Sequence, residues 1–238
     1  MTPGAGGKSS TMLQARLDMS APALRAASAL LWEPSPGLAE RYLDYLEAMH
    51  GVIRASVPLM VAAIARCREL PADPVAGTLA SYLVGHVAEE TGHDDWLLED
   101  LRVAGRDPEA VRSGLPGPVI ARLVGPQYYW IAHHHPVALL GYIAVLEGNA
   151  PPPGLARHLA QRTGLPDAAF RTLHAHAVLD TGHRDELDAL LDRLPLQPPH
   201  RDAVCLSALH TVDAFAHLLH RVSTSRAPAH PPKPEWTS

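Results

Sequence analysis

The stretch "HVAEETGHDDWLLEDL", residues 86–101, decides the fold. It mixes acids and histidines with an apolar ladder: Leu79, Leu83, Val87 and Leu97 recur at helical spacing through it. An α-helix advances about 100° per residue, so Glu90 and His93, at i and i+3, stand about 60° apart on one face. His86 lies seven residues before His93, about 20° off the same line. A polar strip beside an apolar face is costly to bury unless its charges are paired or bound to metal. The strip therefore needs partners from other elements.

Three other helical stretches offer them. "YLDYLEAMHGVIRASVPLM", from Tyr42, puts Glu47, His50 and Arg54 at i, i+3 and i+7 on one face. "PVALLGYIAVLEGNAPP", from Pro136, ends an almost wholly apolar run on Glu147. "LHAHAVLDTGHRDEL", from Leu173, places His176, Asp180 and His183 at i, i+4 and i+7, within about 60° of arc. In order the chain offers Glu, Glu-x-x-His, Glu, then Asp-x-x-His with an added His. Four-helix carboxylate sites for paired iron or manganese are built in this way. The donors are oxygen and imidazole with no thiolate, which suits iron or manganese better than structural zinc. Glu89 is the alternative to Glu90 as the acid of its helix. His50 is read as a partner of Glu47, and Arg54 as a residue placing substrate or a metal-bound carboxylate.

Outward from these motifs, the apolar spacing predicts helices at about 12–32, 37–68, 74–104, 108–113, 116–148, 153–163, 166–193 and 199–223. Turn-forming segments separate them, among them "EPSPG", "AGRDP" and "GNAPPPG". Pro136 should kink the 116–148 pattern. No alternating strand pattern appears, so the chain reads as one all-α domain, residues 12–223. Residues 1–11 and the Pro-rich 224–238 read as disordered tails. The histidine tract 133–135 can turn few of its rings to any one site, because consecutive residues point about 100° apart. The strip His210, Asp213, His217 and His220 reads as solvated or facing a dimer partner.

Net charge is −5 with acids and bases interspersed, and no basic stripe suggests nucleic acid. Two distant cysteines, Cys67 and Cys205, fit a reducing cytoplasm rather than a disulfide framework. No apolar run of about 18 residues was expected, hence no membrane span.

"HVAEETGHDDWLLEDL", "HHHPVALLGYIAVLEGNAPP" and "HAHAVLDTGHRDELDALL" resemble the iron-containing redox enzymes of the heme-oxygenase-like di-metal oxidase superfamily. The resemblance covers about residues 38–192, with the H-x-x-x-D-x-x-H triplet its most specific feature. It implies a heme-oxygenase-like bundle of about seven helices holding two Fe(II) ions, with manganese the alternative metal. Dioxygen would be co-substrate for N-oxygenation, desaturation or C–C cleavage of a small organic molecule. The implied ligands are Glu90 and His93, Glu147, then His176, Asp180 and His183. Glu47 is an added ligand, and His86 and Glu89 support the set. An external electron donor and a homodimer are compatible with this reading. The rivals are a metal-free oxidase or a thiaminase-like cysteine hydrolase on the same bundle, or a helical iron or heme carrier without turnover.

Overall fold

The computed structural model describes residues 8–225, apart from the side chains of Asp180 and Thr181. Among the described residues the regular structure is all helical: α1 (Ser9–Leu31), α2 (Leu38–Ile53), α3 (Ser56–Arg68), α4 (Ala76–Glu90), α5 (His93–Val103), α6 (Pro108–Ser113), α7 (Pro118–His133), α8 (Leu139–Glu147), α9 (Leu155–Thr163), α10 (Arg171–Arg193) and α11 (Pro198–Thr224). Short 3-10 turns cover Pro136–Ala138 and Asp167–Phe170. The expected tails lie largely outside the described residues. Helix nevertheless reaches further out than expected, starting at Ser9 and ending at Thr224.

Three expected helices are each broken in two, and local chemistry explains each break. In the expected 37–68 helix, Pro58 sits in the first turn of α3; a proline there clashes with the carbonyl four residues back, at Arg54, where α2 stops. In 74–104, Gly92 takes φ +91°, a left-handed conformation that ends one helix and starts another. In 116–148, His135 precedes Pro136 and is forced to extended backbone, φ −146° and ψ 137°.

Within Leu38–Arg68, 31 residues taken end to end, an 18-residue window reaches a mean hydropathy of 1.5, long and apolar enough to cross a membrane by length and composition. Arg54 falls inside any such window, so the stretch is not an uninterrupted apolar run. In the fold the stretch is two helices, which set Leu46, Val52, Leu59 and Met60 into the core.

The core has two lobes. In the smaller, Tyr42 stacks on Phe170 with ring centroids 4.4 Å apart, and its hydroxyl donates to the Ala169 carbonyl at 2.8 Å. In the larger, α11 is the central rod, with α1, α7 and α8 against it. A Cβ on Gly141 would lie 2.1 Å from the Val204 carbonyl oxygen and 2.7 Å from the Ala208 nitrogen, so α8 and α11 cross at backbone contact. A buried network ties α7 to α11: the Ser207 hydroxyl donates to Gln127 Oε1 at 3.0 Å, and the Thr211 hydroxyl to the Ser207 carbonyl at 2.7 Å. Asp100, fully buried on α5, accepts the Thr172 backbone N–H at 2.8 Å and so fixes the start of α10. These contacts set the spacing of α4, α5, α8 and α10.

Candidate metal centre

His86 and Glu90 from α4, Glu147 from α8 and His183 from α10 turn inward until their ligating atoms all lie within 4.8 Å of one another. His86 Nε2 is 2.7 Å from Glu147 Oε1. His183 Nδ1 is 3.8 Å from Glu90 Oε1 and 3.7 Å from Glu147 Oε1. The other Glu90 oxygen, Oε2, is 3.3 Å from His93 Nδ1, and the His93 ring stands edge-on to His176 at 5.2 Å. Glu90 thus lies between two histidine groups and turns one oxygen to each.

The expected ligands separate into those brought together and those not. Glu90, His93, Glu147, His176 and His183 converge. His86, expected to support the others or to serve as a spare ligand, is inside the cluster and buried. Glu89 stands at the rim: its side chain is 48% exposed against 13% for Glu90, and Oε2 lies 3.4 Å from His86 and 3.6 Å from His183. Asp180 sits on α10 between His176 and His183, but its side chain lies outside the described residues.

Glu47 is not brought to the cluster, which corrects its expected place. Its carboxylate meets Arg106 at 2.8 Å, in a group with Asp44 and Glu40. The face of α2 toward the cluster carries Leu46, Met49 and Ile53 instead. Glu47, His50 and Arg54 do share a face, but it borders a different, open cleft of about 790 Å³. Arg54 donates there to the Arg112 carbonyl at 3.2 Å and is exposed, so it does not place a ligand at the cluster. The helical spacing was right; the choice of face was not. An arginine fifty-nine positions later that claims Glu47 leaves no mark in local sequence.

Electrostatics favour the deprotonated, ligating forms of Glu90 and His176, while His86 is held toward its protonated form by Glu147. Burial alone would raise the Glu90 carboxyl, but the hydrogen bond and charge of His93, with His86 and His176, hold it below its ordinary value. Burial would lower His86, yet the bond and charge of Glu147 raise it. His176 is lowered by burial, while its Nδ1 contacts the Thr172 carbonyl at 3.0 Å. That bond makes Nδ1 the protonated nitrogen of the neutral ring and leaves Nε2 a lone pair, the arrangement metal-bound histidines use.

The donor set fits iron. His183 Nδ1 and Glu147 Oε2 are buried without a hydrogen-bond partner, and His86 Nδ1 and His93 Nδ1 meet only carboxylates, at 3.4 and 3.3 Å. Buried polar atoms are rarely left so unless something else is to meet them. Carboxylate and imidazole donors without thiolate suit iron or manganese.

Asp73, His135 and His200 form a second cluster of possible ligands. Here the tautomers argue otherwise. His135 Nδ1 accepts the Val137 N–H at 3.1 Å, and His200 Nδ1 the Gln197 N–H at 3.4 Å. A neutral ring accepting at Nδ1 carries its proton on Nε2, and His135 aims that nitrogen at Asp73 Oδ2, 3.5 Å away. The group is a clamp between helix ends rather than a cation site.

Asp100 escaped the sequence reading. Its signal was there: an acid set among Leu97, Leu98 and Leu101, all core residues.

Among solved structures, a domain of unknown function with a heme oxygenase-like fold from Shewanella denitrificans superposes with TM-score 0.70 at 21% identity, covering 90% of this chain and 88% of that one. A TenA homolog from Pseudomonas syringae pv. tomato superposes with TM-score 0.67 at 15% identity, covering 88% and 91%. At such identities these likenesses show the fold alone, which is heme oxygenase-like. No curated protein matches. The profile of a family described as iron-containing redox enzyme matches residues 43–216, which spans α2 to α11 and every residue of the cluster, so the chain belongs to that family.

Proposed function

We propose that the chain is a dioxygen-dependent non-heme di-iron oxidoreductase acting on a small organic molecule. The observation that carries this reading is the posture of Glu90. Its two oxygens address two histidine groups, one of His86, His183 and Glu147, the other of His93 and His176. A carboxylate so placed suits two ions that share it, as in helical di-iron carboxylate proteins. His86, Glu147 and His183 would hold one ion and His93 and His176 the other; Asp180, expected as a ligand from the sequence, lies on the same helix as His176 and His183. Iron bound there supplies the electrons that activate dioxygen. The protein residues hold the ions at fixed spacing, balance their charge with carboxylates, and keep water from the apolar cavity beside them. Where the substrate provides too few electrons, an external donor completes the balance.

The cysteine-hydrolase alternative finds no support at the site. Neither cysteine lines the cavity, and burial pushes the Cys67 thiol up to about 11, away from the nucleophilic thiolate. A heme carrier would need one axial histidine in an apolar slot, whereas here acids crowd the histidines. The test is anaerobic Fe(II) titration followed by mixing with oxygenated buffer. Two ions per chain and rapid oxygen uptake are expected. One ion or none, or loaded protein inert to oxygen, would refute the reading.

A further inference from the structure

A cavity of about 110 Å³ adjoins the cluster. His86, Glu90, Glu147 and His176 form its ionisable end, Tyr45, Ser56, Tyr142, Asn149 and Thr172 add uncharged polar groups, and Leu46, Met49, Ile53, Leu59, Met60 and Phe215 supply much of the remaining wall. Among the described residues no lysine or arginine lines it. Arg54, just past the end of α2, and Arg106, past the end of α5, border the other cleft.

This composition decides what the cavity can hold. A carboxylate or phosphate entering it would lose its hydration, meet no cationic side chain, and face Glu90 and Glu147. Burying an unpaired charge is expensive. An ammonium would have to displace His86 and His93 from those acids, at 2.7 and 3.3 Å, and compete with the metal ions for the remaining Glu147 oxygen. An uncharged apolar group has no such cost, and its contact with the leucine and methionine wall is favourable. For scale, a dry engineered cavity of about 150 Å³ accepts benzene. At about 110 Å³ the chamber is smaller than that, so it takes a short branched chain or at most one ring.

Resting on the di-iron reading above, we propose that the cavity selects an uncharged molecule, or the uncharged end of one, about the size of one aromatic ring. Recognition is by apolar contact together with the uncharged hydroxyl and amide groups of the wall, and needs no charge on the substrate.

The test uses three probes that share a ring and differ in charge: benzyl alcohol, benzoate and benzylamine. Each is titrated calorimetrically into the apo and the anaerobic Fe(II)-loaded protein. Benzyl alcohol should bind both forms with similar affinity, and benzoate and benzylamine at least about tenfold more weakly to each. Benzoate binding that appears only with iron would overturn the proposal in favour of a metal-anchored acid. Benzylamine binding more tightly than benzyl alcohol would overturn it in favour of recognition by Glu90 and Glu147. Absence of benzyl alcohol binding would also overturn it. If the protein takes up no iron yet apo protein binds benzyl alcohol selectively, the di-iron reading falls and the selectivity stands. Met49→Trp, which fills the chamber, should abolish probe binding and leave iron stoichiometry as in wild type. Should that variant misfold, the wild-type series still decides.

Discussion

Glu90 is the last residue of α4 and His93 the first of α5, yet their Oε2 and Nδ1 atoms lie 3.3 Å apart across the break. A continuous helix would also have made them neighbours. The break adds a change of axis that sends His93 toward His176 while His86 and Glu90 stay with Glu147 and His183. Gly92 makes this turn at φ +91°, and a Cβ there would touch nothing within 4 Å. The cost of Gly92→Ala is thus backbone strain alone, about 1–2 kcal/mol. Thermal unfolding should show that loss, and the relaxed turn should weaken uptake of one ion more than the other. Wild-type stability would mean that the turn is not held in this conformation.

Glu47 and Glu90 give opposite predictions although both are acids at helical spacing from a histidine. Glu90→Ala should reduce iron stoichiometry, because both histidine groups lose the oxygen that faces them. Glu47→Ala should leave stoichiometry intact and cost no more than about 1 kcal/mol, since it removes a partly exposed ion pair with Arg106. Metal analysis after anaerobic loading checks both. Loss of iron from Glu47→Ala would return that residue to the centre.

Gly141→Ala tests how the scaffold sets the site. The added methyl meets the α11 backbone at Val204 and Ala208, which has no rotamer to change. Overpacking of this kind costs about 1–3 kcal/mol or more. Since α8 must move off α11, Glu147 at its end moves too, and iron affinity should fall together with the unfolding temperature. A variant as stable as wild type would show that the two helices do not cross so closely.

The helical class and most site residues were legible because both are periodic. Leucines at three- and four-residue spacing marked the helices, and acid–histidine pairs at the same spacing marked the strips. What stayed hidden depends on contacts between distant segments. Glu47 and Glu90 are alike locally, and only Arg106 on one side and His183 on the other separate them. His86 was placed on the right line, but its bond to Glu147, sixty-one positions away, could not be read from either segment. The breaks were partly visible. Pro136 was read as a kink, whereas Pro58 and Gly92 carried the same information and were absorbed into longer patterns.

The His135 clamp predicts a stability profile in pH that owes nothing to the metal site. His135 is buried, and its Nδ1 caps the 3-10 turn by accepting the Val137 N–H. Burial holds its pKa below the ordinary 6.5, and the charges of His200 and His134 add to this, while Asp73 opposes. A folded-state value below the unfolded one means that the unfolded chain takes up the proton first. Stability from this residue is therefore complete above about pH 6.5 and declines as pH falls from there toward the folded value. Asp73 follows in a lower window. Burial would raise it, but the Val75 and Ala76 N–H groups and the two histidines hold it below its ordinary 3.8, so its contribution is lost only beneath that. His135→Asn isolates the upper window, because asparagine can present Oδ1 near the place of Nδ1 and cannot titrate. The variant should be less stable at pH 7.5, having lost packing, but its stability should fall less between pH 7 and 5. The difference in slope is bounded by one proton, about 1.4 kcal/mol per pH unit. Chemical denaturation across that range measures it. Parallel profiles would show that His135 either titrates alike in both states or does not cap the turn.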